Sequence, residues 1–278
     1  MTEPQRPLGT FGVWRRRDGA TPDFAAGVER LGYTTLWIGG SPGADLAEAE
    51  ACLDATEDLV VATGIVNIWR GEAREAAAAF HRLEARHPGR FVLGIGSGHP
   101  EADARRAKPL AAMREYLDVL DAEGVPAGRR VVAALGPKTL RLAAERSLGA
   151  HPYLTPPGHT RWARGVVGPD ALLAPEQMVV AETDAATARA VGRSALRRYL
   201  RLQNYASMLR ASGFGDDELA GDGNDRVVDE LTAWGDPAAL ASALRAHLDA
   251  GADHVCVQVL PIDGDALPAL AELRAALA

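Results

Sequence analysis

The chain has 278 residues, 47% of them hydrophobic and 24% charged, with a net charge of −7; that is enough for one sizeable α/β core. The acidic balance argues against a nucleic-acid partner, because no lysine- or arginine-rich run offsets it, and no stretch reaches the ~18 continuous apolar residues of a membrane span. The N-terminal MTEPQRPLGT is polar and unlike a signal peptide, and Cys52 and Cys256 fall in apolar contexts suited to buried free thiols, so a reducing cytoplasm is the expected compartment.

Short apolar runs alternate with longer periodic segments, the sign of βα units. Strand one is expected over Leu8–Val13, with the basic triplet Arg15, Arg16 and Arg17 as a solvated turn. A helix follows, with Thr21 as N-cap and Pro22 at its first position, running to Leu31. Strand two is Thr34–Ile38 with a helix from about Asp45, and strand three is Leu59–Thr63 with an alanine-rich helix ending near His87. Strand four is Phe91–Ile95 with a helical region to Asp121, and strand five is Val131–Leu135 with a helix from Pro137 to about Arg146. Strand six is Ala150–Leu154 with a short helix near Gly158–Gly165, and strand seven is Met178–Ala181 with Thr183 or Asp184 capping a long helix. Strand eight is His254–Leu260, and a last helix covers Leu267–Leu277. Eight βα units predict a single (β/α)₈ TIM barrel over residues 1–278, with an insertion at about 203–235 between strands seven and eight. The glycines of that insertion predict a mobile loop within it.

Two strand ends carry the chemical signal. RFVLGIGSGHP (Arg90–Pro100) reads as a buried parallel strand whose glycines, Gly94, Gly96 and Gly98, admit something large at its carboxyl end. His99 follows them, where barrel enzymes place catalysis, and histidine exchanges protons near neutral pH. VVAALGPK ends in Gly136 and opens a helix at Pro137, Lys138 and Thr139; free N–H groups there accept a phosphate and Lys138 adds a charge. Together they predict a phosphate-bearing cofactor across the top of the barrel.

Other patterns are weaker. GIGSGH lacks the G-x-G-x-x-G dinucleotide spacing. GGSPG contains G-x-S-x-G, but Pro42 follows the serine and has no N–H for an oxyanion hole. His81 and His87 are spaced wrongly for a metal on one helical face. His151 reads as a satisfied barrel histidine. Trp14, Trp37 and Trp69 fall near strand ends, where they suit either a wall for a planar ring or the core.

The blocks YTTLWIGGSP (Tyr33–Pro42), VATGIVNIW (Val61–Trp69), FHRLEARHPGRFVLGIGSGHP (Phe80–Pro100), AALGPKTLRLAAE (Ala133–Glu145), GAHPYLTPPGHT (Gly149–Thr160) and AGADHVCVQVL (Ala250–Leu260) follow in an order that resembles the bacterial luciferase-like monooxygenase superfamily. Within it they are most similar to the actinobacterial coenzyme F420-dependent oxidoreductases. The resemblance implies a luciferase-like barrel that binds F420, or alternatively FMN, at the strands' carboxyl ends and transfers a hydride to or from a small organic substrate. It implies a non-prolyl cis peptide at Gly64–Ile65, with Gly40, Gly64, Ile65 and Asn67 beside the ring. Ser97, Gly98 and Gly136, Pro137, Lys138, Thr139 and Leu140 would hold the phosphoribityl tail, and His99 would be the acid–base residue. A homodimer is also implied. One departure is that Gly39 and Gly40 stand where related sugar-phosphate dehydrogenases carry an acid–histidine pair. FMN-dependent oxygen chemistry and a non-catalytic flavin-binding protein remain the alternatives.

Overall fold

Alternation of side chains along each strand organises the structure, which as a computed structural model describes residues 8–98 and 108–278. The strands are β1 (Phe11–Arg16), β2 (Thr35–Gly39), β3 (Val60–Thr63), β4 (Val66–Asn67), β5 (Phe91–Gly96), β6 (Arg130–Val132), β7 (Gly149–Ala150), β8 (Leu172–Leu173), β9 (Glu176–Val180), β10 (Thr232–Trp234) and β11 (Val255–Leu260). The helices are α1 (Pro22–Arg30), α2 (Ala47–Asp54), α3 (Ala73–Arg86), α4 (Pro109–Ala122), α5 (Pro137–Arg146), α6 (Pro157–Val167), α7 (Ala185–Leu200), α8 (Gln203–Ala211), α9 (Asp216–Leu219), α10 (Asp225–Leu231), α11 (Pro237–Asp249) and α12 (Leu267–Leu277). Thr21 caps α1 through Phe24 N–H, and of the two cap candidates for α7 it is Asp184 that accepts from Thr187 N–H, at 2.9 Å.

Every strand pairing is parallel, in the order β11-β1-β2-β3-β5-β6-β7-β8, as a (β/α)₈ barrel requires. β8 and β9 are two pieces of one barrel strand, interrupted at Ala174 and Pro175 because proline brings no N–H to the ladder. The ring closes across that interruption. Glu176 N–H donates to Pro152 O at 2.9 Å on one side, and Cys256 N–H donates to Pro175 O at 2.9 Å on the other.

Odd and even positions separate two cores, as a period of two dictates. Leu36, Ile38, Val61, Phe91, Leu93, Ile95, Val255 and Val257 face the helices in the main core. Trp37, Val60, Ala62, Val92, Val131 and Cys256 face inward and fill the barrel. A third cluster roofs it: Leu196, Leu200, Met208, Leu209, Val227 and Val228, from α7, α8 and α10, pack with Met178, Val180 and Leu260 from the strand ends. Cys52 and Cys256 are both buried and free.

Several boundaries differ from the sequence expectation. β1 extends through Arg15 and Arg16, so these residues are not a solvated turn. Arg15 lies over the Phe24 ring at 5.1 Å and donates to Gly264 O. Strand seven begins at Leu172, before the expected Met178. β10 is an added parallel strand on β9.

The feature that shapes the mouth is a bulge in strand three. Ala62 pairs with Val92 and Val66 with Ile95, so one extra residue stands on the β3–β4 side. Thr63 bridges the gap with its side chain: Oγ1 accepts from Gly94 N–H at 2.8 Å and donates to Gly94 O at 2.9 Å. Gly94 has no room for a side chain, because a Cβ would lie 1.7 Å from Thr63 O. At Gly96 a Cβ would meet Ile65 Cγ2 at 2.4 Å. Gly94 and Gly96 therefore serve the protein's own bulge, a correction to their expected role of admitting a ligand. The Gly64–Ile65 bond is trans, also against expectation; the only cis peptide among the described residues is Leu260–Pro261. A non-prolyl cis bond costs ~3 kcal/mol, and the extra residue with its threonine clasp turns the chain without one.

Thr63→Val keeps the shape and strips both hydrogen bonds from a buried N–H and C=O. Chemical denaturation is expected to show a loss of about 2–6 kcal/mol, at about 1–3 per unsatisfied group. Gly165→Ala is the control: nothing lies within 4 Å of a Cβ there, and in the last turn of α6 the same measurement should give a gain of up to about 0.5–1 kcal/mol.

Candidate active site

A cavity of about 400 Å³ opens at the carboxyl ends of the strands, where TIM-barrel enzymes place their chemistry. Its back wall is the bulge, Gly64 and Ile65, with Asn67 beyond. Asn67 is held in place: its Oδ1 accepts from Trp69 N–H at 3.0 Å, and Trp69 Nε1 donates to Ser97 O at 2.9 Å. Ser97 and Gly98 continue this wall, and Gly98 takes the left-handed conformation at φ 56°.

Trp14 forms a second wall. A Cβ on Gly39 would lie 1.7 Å from its Cζ2, so the indole occupies the space a side chain at 39 would need. The space of a side chain at position 39 has thus been given to an aromatic surface. Gly40 and Ser41 complete this side, both in the left-handed region, at φ 76° and 55°.

The third side is the start of α5. Gly136 is its N-cap and no side chain caps it, so the first-turn N–H groups lack intrahelical partners. Gly136 and Thr139 line the cavity. A Cβ at Gly136 would meet nothing within 4 Å, and its φ of −97° is open to any residue, so the position is glycine for neither space nor conformation. Pro137, Lys138 and Leu140 lie beside the cavity rather than on it; Leu140 is wholly buried in the main core, its N–H donating to Gly136 O.

The roof comes from the end of α7 and the start of the insertion. Arg198, Tyr199, Asn204 and Tyr205, from α7 and α8, look into the cavity. Tyr153 donates to Gln258 Oε1 at 3.0 Å and its hydroxyl lies 3.0 Å from that of Tyr199. Its ring is 5.2 Å from Trp14 and 5.4 Å from Tyr199. Among the described lining residues the only ionisable groups of fixed sign are Arg70 and Arg198, and no carboxylate joins them. In a chain of net charge −7, the mouth is locally cationic, which favours an anionic ligand.

Beneath the cavity lies a set of buried polar residues. His151 Nδ1 bonds Ala174 O at 2.7 Å, Trp37 Nε1 bonds His254 Nε2 at 3.0 Å, and His254 Nδ1 bonds Gly9 O at 2.7 Å. His151 is thus only half satisfied, because its Nε2 is buried without a partner; the expectation of a fully satisfied histidine is corrected. Glu176 Oε2 accepts from Leu154 N–H at 3.1 Å while Oε1 has no partner. Burial pushes the Glu176 carboxyl up to about 8, so it is protonated at neutral pH. Burial pushes the imidazoles of His151, His254 and His247 down to about 4, so they are neutral.

Of the residues singled out from sequence, Gly40, Gly64, Ile65, Asn67, Ser97, Gly98, Gly136 and Thr139 line one cavity. His99 lies outside the described residues. Trp14, His151, Tyr153, Arg198, Tyr199 and Tyr205 were not assigned to the site from sequence. Arg198 and Tyr199 end α7, the long helix expected after strand seven, whereas Tyr205 belongs to α8, inside the expected insertion, and no motif tied any of the three to the site. Among the described residues no group of histidine, cysteine or carboxylate side chains could hold a metal ion, and no helix is long and apolar enough to cross a membrane.

The pattern of the luciferase-like monooxygenase family matches residues 15–123. No curated protein sequence matches the chain. Among solved structures, an F420-dependent secondary alcohol dehydrogenase in complex with an F420–acetone adduct superposes with a TM-score of 0.77 at 13% identity, covering 98% of this chain and 100% of its own. The coenzyme F420-dependent tetrahydromethanopterin reductase of Methanopyrus kandleri gives 0.72 at 16% identity, covering 96% and 98%. The oxygenating constituent of 3,6-diketocamphane monooxygenase from Pseudomonas putida, in complex with FMN, gives 0.70 at 15% identity, covering 95% of each chain. The resemblance read in the sequence is borne out: the chain is luciferase-like in pattern over residues 15–123 and in fold along nearly its whole length.

The buried titratable groups set a pH dependence of stability. Between about pH 4 and 6.5 the unfolded chain binds protons at His151, His247 and His254 that the folded chain refuses, so acidification destabilises. Glu176 acts oppositely: between 4.5 and about 8 the folded chain keeps a proton that the unfolded chain has lost, so its contribution falls as pH rises. Three imidazoles outweigh one carboxyl below pH 6.5, and above it only Glu176 acts. The thermal midpoint is expected to peak near pH 6.5, with Glu176→Gln flattening the alkaline side. A wild-type midpoint that kept rising between pH 6.5 and 8 would contradict this assignment.

Proposed function

We propose that this protein is an oxidoreductase that binds coenzyme F420 in the cavity and passes a hydride between it and a small organic substrate. The observation that carries the reading is the make-up of the cavity: aromatic and bulge walls beside an uncapped helix N-terminus, with arginines and no carboxylate among the described lining residues. Such a site suits a planar heterocycle with a phosphorylated tail. When bound, the deazaflavin ring supplies the hydride acceptor or donor, and the protein supplies position and electrostatics.

Each group has a task in this reading. Ile65 and Gly64 back the ring and Trp14 faces it. The first turn of α5 receives the phosphate through its N–H groups, at Gly136 and Thr139, and Lys138 adds charge nearby. The roof tyrosines, fixed through Gln258, close the substrate side and exclude water. His99, from the sequence, moves the proton that accompanies hydride transfer. FMN is the second reading, favoured by the superposition on an FMN-bound monooxygenase.

Titration of the purified protein with F420 and with FMN, followed by fluorescence, separates the two: saturable F420 binding with weak FMN binding is expected, and the reverse order would transfer the assignment to FMN. Gly136→Asp places a carboxylate where the phosphate would sit, in space that accommodates it, and should weaken binding about tenfold or more, a cost of about 1.4 kcal/mol. His99→Ala should leave that dissociation constant nearly unchanged and lower turnover at saturating F420 by about 10²-fold. Unaltered binding by Gly136→Asp would remove the α5 turn as the phosphate site.

A further inference from the structure

The polar group under the cavity has an unfilled valence. His151, just after β7, is 2% exposed and lines the cavity. Its ring is clamped on both counts that matter. It stacks on Trp37, with centroids 4.4 Å apart and planes 17° from parallel, and its Nδ1 is 2.7 Å from Ala174 O. A carbonyl oxygen can only accept, so Nδ1 carries the hydrogen and Nε2 is a bare lone pair. Trp37 cannot satisfy it, because the indole N–H is already committed to His254. No other group among the described residues does so.

An acceptor buried without a partner costs about 1–3 kcal/mol. Packing alone does not account for it, since a phenyl ring would stack on Trp37 equally well. The neighbouring lining residues, Trp14 and Tyr153, offer aromatic faces, and Tyr153 spends its hydroxyl hydrogen on Gln258. The cations, Arg70 and Arg198, are exposed, whereas His151 is buried. Charge is therefore met at the mouth, and a lone pair waits at depth.

We propose that His151 Nε2 is a recognition site for a neutral hydrogen-bond donor, N–H or O–H, on the molecule bound in the cavity. This rests on the reading that the cavity takes a flavin-type ring and an organic substrate. An anion is repelled by the lone pair, and a ligand offering only acceptors at that depth leaves both sides unpaired. Two sources carry the right chemistry: the imide N–H of the cofactor's pyrimidinedione ring, and a hydroxyl of the substrate. The second would make the protein select an alcohol over the corresponding ketone in the ground state.

The test follows the nitrogen itself. Protein carrying ¹⁵N-histidine is titrated with F420, with FMN, and then, cofactor-loaded, with cyclohexanol and with cyclohexanone. The His151 Nε2 resonance is assigned by its absence in His151→Phe and, should that variant not fold, in His151→Gln. Movement on adding F420 or FMN alone, with at least a tenfold weaker dissociation constant in His151→Phe and partial recovery in His151→Gln, makes the cofactor the donor. No movement with cofactor, followed by movement with cyclohexanol and none with cyclohexanone, makes the substrate hydroxyl the donor. A resonance unmoved by all four ligands overturns the proposal. Failure of the cofactor reading shows separately, as the absence of saturable F420 and FMN binding to the wild type; the cyclohexanol titration of the free protein then decides the role of His151 alone.

Discussion

The mouth of this barrel depends on one clasp, the Thr63 hydroxyl on the backbone of Gly94. Strand three carries one residue too many for its ladder with strand four, and a side chain takes over the hydrogen bonds that the backbone gives up. The clasp works only because Gly94 lacks a side chain, which lets the Thr63 carbonyl approach. Its consequence is the placement of Gly64 and Ile65 along the cavity wall, with the isoleucine methyl resting over Gly96. A steric requirement within the protein thus produces the surface against which a ligand would lie.

Below that wall the barrel interior departs from the apolar filling of its strands. Trp37 is wholly buried yet bonded to His254, and a Cβ at Gly12 would lie 2.7 Å from the His254 ring. The chain thus gives up side chains at positions 12 and 39 to seat an imidazole and an indole. His151 and His254 kept neutral and Glu176 kept protonated hold no net charge in a low-dielectric interior, which avoids the large desolvation cost of ions. Most of their polar atoms are paired. The unpaired ones are informative because they survive among so many that are satisfied.

The roof brings a different economy. Its helices bury their own apolar cluster against the strand ends, and their outer faces are laced with ion pairs such as Arg189–Asp229 and Arg193–Asp225. Those exposed pairs contribute little to stability. The packing of Leu196, Leu200 and Met208 over Met178 and Leu260 is what fixes Tyr199 and Tyr205 above the cavity. A roof held by side-chain packing, with little shared backbone ladder, has lower local stability than the ring of strands and is the element expected to open for ligand exchange.

The sequence by itself determined the order of βα units, the cap at Thr21 and a cap for α7 at either Thr183 or Asp184. These depend on local sterics and hydropathy, which neighbouring residues state fully. It marked Gly136 through the glycine turn at a strand end, and the family resemblance added Gly40, Asn67 and Ser97 as its companions. Tertiary structure alone decided what the glycines are for. Gly39 yields to Trp14, Gly94 to Thr63 and Gly96 to Ile65, each a contact between strands that no local pattern records. It also decided that strand seven closes the ring across Pro175, that Arg15 belongs to a strand, and that tyrosines from α7 and α8 roof the mouth. His151 shows the limit most sharply: whether a histidine is satisfied depends on which distant groups reach its two nitrogens. Here Ala174 reaches one and nothing among the described residues reaches the other.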